Sequence, residues 1–124
     1  MTALPPAFDH MLAAWNERDL EKIRGHLEQA LAPEIHFVDP SIETRGIDEF
    51  EANVREFRTR LPDAVCSRAS GVDAHHDLFR YAWAIHRDDG ELLLPGFDVA
   101  RADAQGRVAM VLGFFGPLPP LPSD

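Results

Sequence analysis

The sequence is poor in cysteine and lysine and has no long hydrophobic run. Cys66 is the single cysteine of the 124 residues, so an internal disulfide is excluded and no zinc-binding spacing exists. No apolar segment approaches the roughly 20 residues needed to cross a bilayer, and no charged-then-apolar leader opens the chain. We therefore expect a cytoplasmic protein that folds in a reducing compartment, without contact with a membrane.

Positive charge is also scarce. The chain has 12 basic and 21 acidic residues, for a net charge of −9, which repels nucleic-acid phosphates and anionic lipids. Lys22 is the only lysine, and the arginines are scattered along the chain. We expect no nucleic-acid partner, although an arginine could still act locally inside a cleft.

The length predicts a single domain, residues 1–124, large enough to bury roughly two-thirds of the surface that its unfolded chain exposes. Residues 117–124 form a proline-rich C-terminal tail within "GPLPPLPSD". Prolines at this density favour an extended polyproline conformation. The tail is either an ordered strap on a neighbouring surface or a loose end.

Three segments have the apolar spacing of amphipathic helices. The first contains Phe8, Met11, Leu12 and Trp15; the second begins at the capping residue Asp19 and contains Leu20, Ile23, Leu27 and Leu31 before Pro33; the third, "GIDEFEANVREFRTRLP", buries Ile47, Phe50, Val54, Phe57 and Leu61 and directs Asp48, Glu49, Arg55 and Arg58 to water.

The remaining segments have the character of strands. In "EIHFVDP", Ile35 and Phe37 alternate with polar or smaller residues, and Asp39 falls on their side, the side expected to face the interior. After Pro62, the runs "AVCSRAS", "LFRYAWAIH", "ELLLPGFDVARA" and "RVAMVLGFF" are separated by turn residues and predict an antiparallel meander. Helices followed by strands indicate an α+β fold. Because both faces of these strands are apolar, we expect a homodimer through the outer sheet face.

This order of elements, with "AWNERDL", "FVDPS" and "RGIDEF" at their places, resembles the nuclear transport factor 2-like superfamily over roughly residues 5–116. Within it, the chain is most similar to the ketosteroid isomerase and SnoaL-like polyketide cyclase branch. The resemblance implies a cone-shaped fold, in which a strongly curved, mostly antiparallel sheet wraps around the N-terminal helices and leaves a deep apolar pocket.

The resemblance also implies site residues. Asp39, in "FVDPS", matches the carboxylate that moves a proton between substrate carbons, and Asp98, in "PGFDVARADAQGRV", matches the aspartic acid that donates a hydrogen bond to the enolate. Met11 stands at the position of the family's tyrosine donor; candidates to replace that donor are His10, His36, Trp15 and Tyr81. The expected pocket wall consists of Met11, Trp15, Phe37, Phe57, Trp83 and Phe114.

Both aspartates also have structural interpretations. Asp39 before Pro40 could start a turn and accept local backbone hydrogen bonds. Asp98 could form a salt bridge with Arg80 or Arg101 on neighbouring strands. The "HHD" run at 75–77 fits a solvated turn better than a metal site, because adjacent strand residues point to opposite faces.

These features favour a small, cofactor-free and metal-free enzyme of isomerase or cyclase type, which transfers a proton next to the carbonyl of an apolar small molecule. One alternative is a non-catalytic module that binds a hydrophobic small molecule or a protein partner. Another is hydration chemistry of the epoxide hydrolase or dehydratase kind, for which Arg80 with Asp98 would be a fragment of the required grouping.

Overall fold

The fold is known from a computed structural model that describes residues 4–123. Three helices and one sheet make up these residues, with a short 3-10 turn at Leu20–Lys22. The helices are α1 (Pro6–Asn16), α2 (Ile23–Ala30) and α3 (Gly46–Arg60), and the strands are β1 (Leu31–Asp39), β2 (Ile42–Arg45), β3 (Ala64–Arg68), β4 (Asp73–His75), β5 (Leu78–Arg87), β6 (Leu92–Ala102) and β7 (Val108–Phe115).

The sheet has seven strands in the order β2-β1-β7-β6-β5-β3, with β4 paired to β5. Strands β3, β5, β6 and β7 are antiparallel neighbours, which confirms the predicted meander and the α+β class. The hairpin partner β2 and the parallel pairing of β1 with β7 were not predicted from the sequence. The sheet is therefore mixed.

The second helix is shorter than its apolar stripe predicted. Asp19 does act as a cap, since its Oδ1 accepts a hydrogen bond from the Glu21 amide at 3.0 Å, but it caps the 3-10 turn that precedes α2. The helix ends at Ala30, and Pro33 lies inside β1. A residue before proline is disfavoured in the helical conformation, so the chain is already extended where Leu31 pairs with Val108.

The hydrophobic core lies where the helices pack against one face of the sheet. Its fully buried large side chains are Phe8, Phe50, Ile23, Leu27, Leu31, Ile35, Val54, Val108 and Val111. Within residues 4–123, no helix has the length and apolarity that a membrane crossing requires.

Arg58 was predicted to face water, and this is wrong. Its side chain is buried, with only 3% of the residue exposed. The guanidinium donates to the carbonyls of Ala64 at 2.8 Å, Pro62 at 2.9 Å and Trp15 at 3.3 Å. Burial lowers the pKa of Arg58. The cation therefore joins the ends of α1 and α3 to the start of β3, a role that helical periodicity does not reveal.

Replacing Arg58 with methionine should lower the free energy of unfolding by about 2–4 kcal/mol, because three inward carbonyls lose a charged donor. Urea unfolding monitored by circular dichroism measures this difference. Arg60→Met is the matched control. Arg60 lies one half-turn further along α3 and is exposed, and its ion pair with Glu56 is long, at 3.9 Å. A loss for Arg58→Met no larger than that for Arg60→Met would contradict the role of Arg58.

Candidate active site

A cavity of about 460 Å³ lies between α1, α3 and the inner face of the sheet. This size is within the range of small-molecule sites. Most of its wall is apolar or aromatic, and includes Phe8, Met11, Trp15, Phe37, Phe57, Trp83, Ile85 and Phe115. Five charged residues also line it, namely Asp39, Glu56, Arg60, Arg68 and Asp98.

The cavity brings together nearly all residues that were predicted for the site. Its lining includes the predicted residues Met11, Trp15, Phe37, Asp39, Phe57, Trp83 and Asp98. Phe114 is the exception, and its assignment to the pocket wall was wrong: it is 61% exposed and pairs with Phe97 on the outer face. Phe115 lines the cavity instead. Both alternating sets of β7 are apolar, so the sequence alone could not decide which one faces inward.

Asp39 and Asp98 approach each other across a glycine. Asp98 is the direct partner of Gly113 on the neighbouring strand, and β1 lies on the other side of β7. A Cβ atom added to Gly113 would lie 3.1 Å from Oδ1 of Asp98 and 3.3 Å from Cβ of Asp39. The missing side chain thus leaves the two carboxyl groups facing the same space.

Asp98 is held by an aromatic donor from β5. The indole Nε1 of Trp83 donates to Oδ1 of Asp98 at 2.9 Å, and Tyr81 of the same strand is the direct partner of Asp98. Burial raises the pKa of Asp98 to about 6, the polar groups of Trp83 and Tyr81 partly oppose this rise, and the charge of Asp39 adds to it. The carboxyl group therefore changes its charge close to neutral pH.

The alternative interpretation of Asp98, a salt bridge to Arg80, is wrong. Nε of Arg80 is 2.8 Å from Oδ2 of Asp73 instead, and Arg80 does not line the cavity. Arg101 pairs with Leu78 and Met110 along the sheet. The structural interpretation of Asp98 as part of an ion pair is therefore not supported within residues 4–123.

Gly96 makes the contact between Trp83 and Asp98 possible. Gly96 is the direct partner of Trp83, and any Cβ at this position would overlap the indole ring. The ring therefore lies across the glycine backbone and reaches the carboxylate two residues further along β6. Phe115 packs edge-on against the same indole, with ring centroids 6.0 Å apart.

Asp39 combines a structural contact with a position in the cavity. Its Oδ1 accepts hydrogen bonds from the Ser41 hydroxyl at 2.7 Å, the Ser41 amide at 2.8 Å and the Ile42 amide at 3.1 Å, so the turn interpretation is correct. Its Oδ2 has no hydrogen-bond partner among the described residues. The turn thus orients the carboxylate and leaves one oxygen available to a ligand.

Several residues are candidates to replace the family's tyrosine donor. Of these, Tyr81 is the one that lies directly opposite Asp98 on the adjacent strand. His36 is bound to Glu43, with Nε2 and Oε2 2.6 Å apart, and does not line the cavity. Trp83 was expected only as pocket wall, and its role as a donor was missed because a cross-strand contact depends on the register.

Replacing Trp83 with phenylalanine should raise the pKa of Asp98 above about 6, because the aromatic ring remains but the donor that stabilises the ionised carboxylate is lost. A titration of the labelled carboxyl carbon by NMR measures this change. Trp15→Phe is the control, since Trp15 lines the same cavity and its ring packs on Phe50 and Phe57. An unchanged or lowered Asp98 pKa in Trp83→Phe would show that the indole does not stabilise the carboxylate.

The histidines at 75 and 76 lie at a turn. Their Nδ1 atoms are 2.9 Å apart, and His76 has a positive φ of 54°. Among residues 4–123 no group of three or more histidine, cysteine or acidic side chains is arranged to hold a metal ion. Cys66 lines the cavity, where burial raises the pKa of its thiol to about 11, so it is a neutral wall residue at physiological pH.

This architecture, three helices against an open, curved, mixed sheet with acidic groups in an apolar cavity, defines an NTF2-like protein. The family model of the SnoaL-like domain matches residues 8–111, and the chain belongs to this family. None of the curated proteins compared with the chain matches it.

Solved structures agree with this assignment. A candidate isomerase of the SnoaL-like family from Agrobacterium tumefaciens is 30% identical, with a TM-score of 0.83, and the match covers 90% of this chain and 96% of that one. An NTF2-like protein of unknown function from Exiguobacterium is 25% identical, with a TM-score of 0.72 and coverage of 90% and 99%. A candidate polyketide cyclase from Sinorhizobium meliloti, 13% identical with a TM-score of 0.69 and coverage of 89% and 94%, shows the shared fold alone.

Proposed function

We propose that the protein is an acid-base enzyme that moves a proton between carbons next to the carbonyl group of an apolar, ring-sized molecule. The observation that carries this proposal is the pair of carboxyl groups of Asp39 and Asp98, which share one apolar cavity across Gly113. Two acidic groups whose surroundings differ can divide the roles of base and acid between them. The description of the Agrobacterium relative as a candidate isomerase supports the same class of reaction.

Asp39 serves as the base. Its turn occupies Oδ1 with three hydrogen bonds, and Oδ2 takes the proton from the carbon next to the carbonyl. Because the carboxylate is held by local hydrogen bonds, it does not have to reorganise when the substrate enters. The same oxygen then returns the proton to another carbon of the enolate.

Asp98 serves as the neutral acid. The Trp83 indole donates to its Oδ1, so the proton of the acid form resides on Oδ2 and is available to the enolate oxygen. The pKa of about 6 belongs to the unfilled cavity, and an apolar substrate that displaces water raises the pKa further. Electrostatic stabilisation of this kind contributes about 3–4 kcal/mol per donor in other enzymes.

Turnover of model ketones tests this proposal. We expect the protein to convert β,γ-unsaturated cyclic ketones to their conjugated isomers, observed by ultraviolet absorbance, and to incorporate deuterium from D2O next to the carbonyl, observed by NMR. The double variant Asp39→Asn with Asp98→Asn should be inactive, and Asp48→Asn, an exposed aspartate of α3, should be fully active. Binding of these ketones without conjugation or exchange would favour the non-catalytic binding module instead.

The site does not favour hydration chemistry. That reaction was expected to use Arg80 together with Asp98, but Arg80 is paired with Asp73 and lies outside the cavity lining. Asp98 instead accepts a hydrogen bond from the Trp83 indole.

We also propose that two copies of the chain associate through the outer face of the sheet. Phe97 and Phe114 are direct partners on this face and are 36% and 61% exposed. A twofold interface would cover these rings with the same rings of a second copy. The part of the tail that follows, with Leu118 and Leu121 more than 90% exposed, begins beside this surface.

Replacing Phe97 and Phe114 together with glutamate should convert a dimer to a monomer, because four carboxylates would face each other across a twofold interface. Analytical ultracentrifugation measures the mass. Ile42→Glu is the control, since Ile42 is similarly exposed but lies on the edge strand β2. A wild-type protein that sediments as a monomer at high concentration would refute the dimer.

A further inference from the structure

We propose that Arg68 binds an anionic group of the ligand, and that the cavity takes an apolar ring compound carrying a carboxylate. This inference rests on the proposed function only in that the cavity holds the substrate. It adds the chemical class of that substrate, which neither aspartate specifies.

Arg68 is placed on the inner face of the sheet. It is the last residue of β3 and the direct partner of Trp83 on β5, so both side chains project to the cavity side. Its guanidinium lies 5.9 Å from the ring centroid of Tyr81, and only 27% of the side chain is exposed. Contact with an aromatic ring holds the guanidinium in place and partly removes its hydration.

The one ion pair that Arg68 makes among the described residues is easily displaced. Its Nη1 is 3.0 Å from Oδ1 of Asp9 on α1, and the Asp9 side chain is 71% exposed. A pair with one partner in bulk water contributes little stability. The other N–H groups of the guanidinium donate to no acceptor within residues 4–123 and match the two oxygens of a carboxylate.

The distance between Arg68 and Asp98 suits a ring-sized ligand. β5 lies between their strands, and Asp98 is two residues beyond Gly96, the residue that pairs with Trp83. Strand spacing and rise therefore separate the two Cα atoms by about 12 Å. With both side chains reaching inward, a fused-ring molecule can place its carbonyl at Asp98 and its acidic group at Arg68.

The charge distribution makes Arg68 the natural anion site. The chain has a net charge of −9, so an anionic ligand needs a local cation to bind. Arg60 also lines the cavity, but its side chain is 70% exposed and Glu56 is close to it. Arg68 is the more shielded of the two cations, and shielding strengthens its attraction for an anion.

Binding of two matched probes tests the assignment. The probes are 2-naphthoate and its neutral counterpart 2-naphthamide, measured at pH 7.5 by calorimetry and by quenching of the cavity tryptophans. We expect wild-type protein to bind the naphthoate about tenfold more tightly than the amide. Arg68→Gln should abolish this preference and leave the affinity for the amide within about twofold.

Two further variants test whether the preference for naphthoate comes from Arg68 specifically. Asp9→Asn removes the competing carboxylate and should raise the affinity for naphthoate about threefold without changing that for the amide. Arg80→Gln, which removes an arginine outside the cavity, should change neither affinity. Equal binding of the two probes to wild-type protein, or a preference that survives in Arg68→Gln, would overturn the role of Arg68.

The outcomes separate this inference from the proposed reaction. If the ketones are not isomerised but the naphthoate preference depends on Arg68, the ligand class is supported and the proposed reaction is refuted. If the ketones are isomerised but the two probes bind equally, only the assignment of Arg68 is refuted. The assignment of Arg68 is also refuted if neither probe binds.

Discussion

Replacing Asp39 with asparagine should lower kcat/KM for a conjugating ketone about a thousandfold, within the range of about 10²–10⁴ that a positioned general base supplies. The amide oxygen can still accept the hydrogen bonds from Ser41 and Ile42 that hold the turn. The fold and the cavity should therefore persist while the basic oxygen is lost. Steady-state absorbance kinetics, with the naphthamide affinity as a check of the cavity, measure the effect.

The pH profile distinguishes which carboxyl group is the acid. If Asp98 must be protonated, kcat/KM of the wild type should fall above its free-enzyme pKa of about 6, approaching tenfold for each further pH unit. In Asp98→Asn this fall should disappear. A wild-type rate that instead rises through pH 6, together with complete loss in Asp98→Asn and near-full activity in Asp39→Asn, would reverse the two roles.

The second large effect concerns stability. Asp98 has a pKa of about 6 in the folded protein against an ordinary value of 3.8, so between these pH values the folded state binds more protons than the unfolded state. Stability therefore decreases as the pH rises from about 4 to about 6 and stays reduced above that. The pKa difference corresponds to up to about 3 kcal/mol.

Asp98→Asn should remove this decrease. Urea unfolding of both proteins at a series of pH values gives the difference in unfolding free energy, in which contributions shared by the two proteins cancel. Between pH 4 and pH 7, we expect the unfolding free energy of the variant to rise relative to that of the wild type by up to about 3 kcal/mol. Parallel pH profiles for the two proteins would mean that Asp98 is solvated, and the neutral-acid role would then fail.

The local pattern was sufficient to predict much of the fold. α3 was predicted from its three- and four-residue apolar repeat, and the structure has it at Gly46–Arg60. The inward position of Asp39 followed from two-residue alternation with Ile35 and Phe37, both of which are buried. These predictions succeeded because the period of a helix or strand depends on neighbouring residues alone.

The same patterns failed where the answer depended on distant residues. Arg58 lies at a helical position where a charge was expected in water, yet the carbonyls that hold it come from Trp15, Pro62 and Ala64. Only the packing of α1 and β3 around the end of α3 brings these acceptors together. Likewise, no local pattern in the sequence of β1 predicts its parallel pairing with β7.

The sequence by itself determined the class of the chain, an α+β domain with Asp39 aimed at its interior, because periodicity and turn chemistry are local properties. Tertiary structure alone decided that Phe115 and not Phe114 lines the cavity, that Gly113 lets Asp39 and Asp98 face each other, and that Trp83 donates to Asp98. The physical reason is that sheet register joins residues far apart in the chain. Burial and hydrogen bonding across that register then set the charge of Asp98.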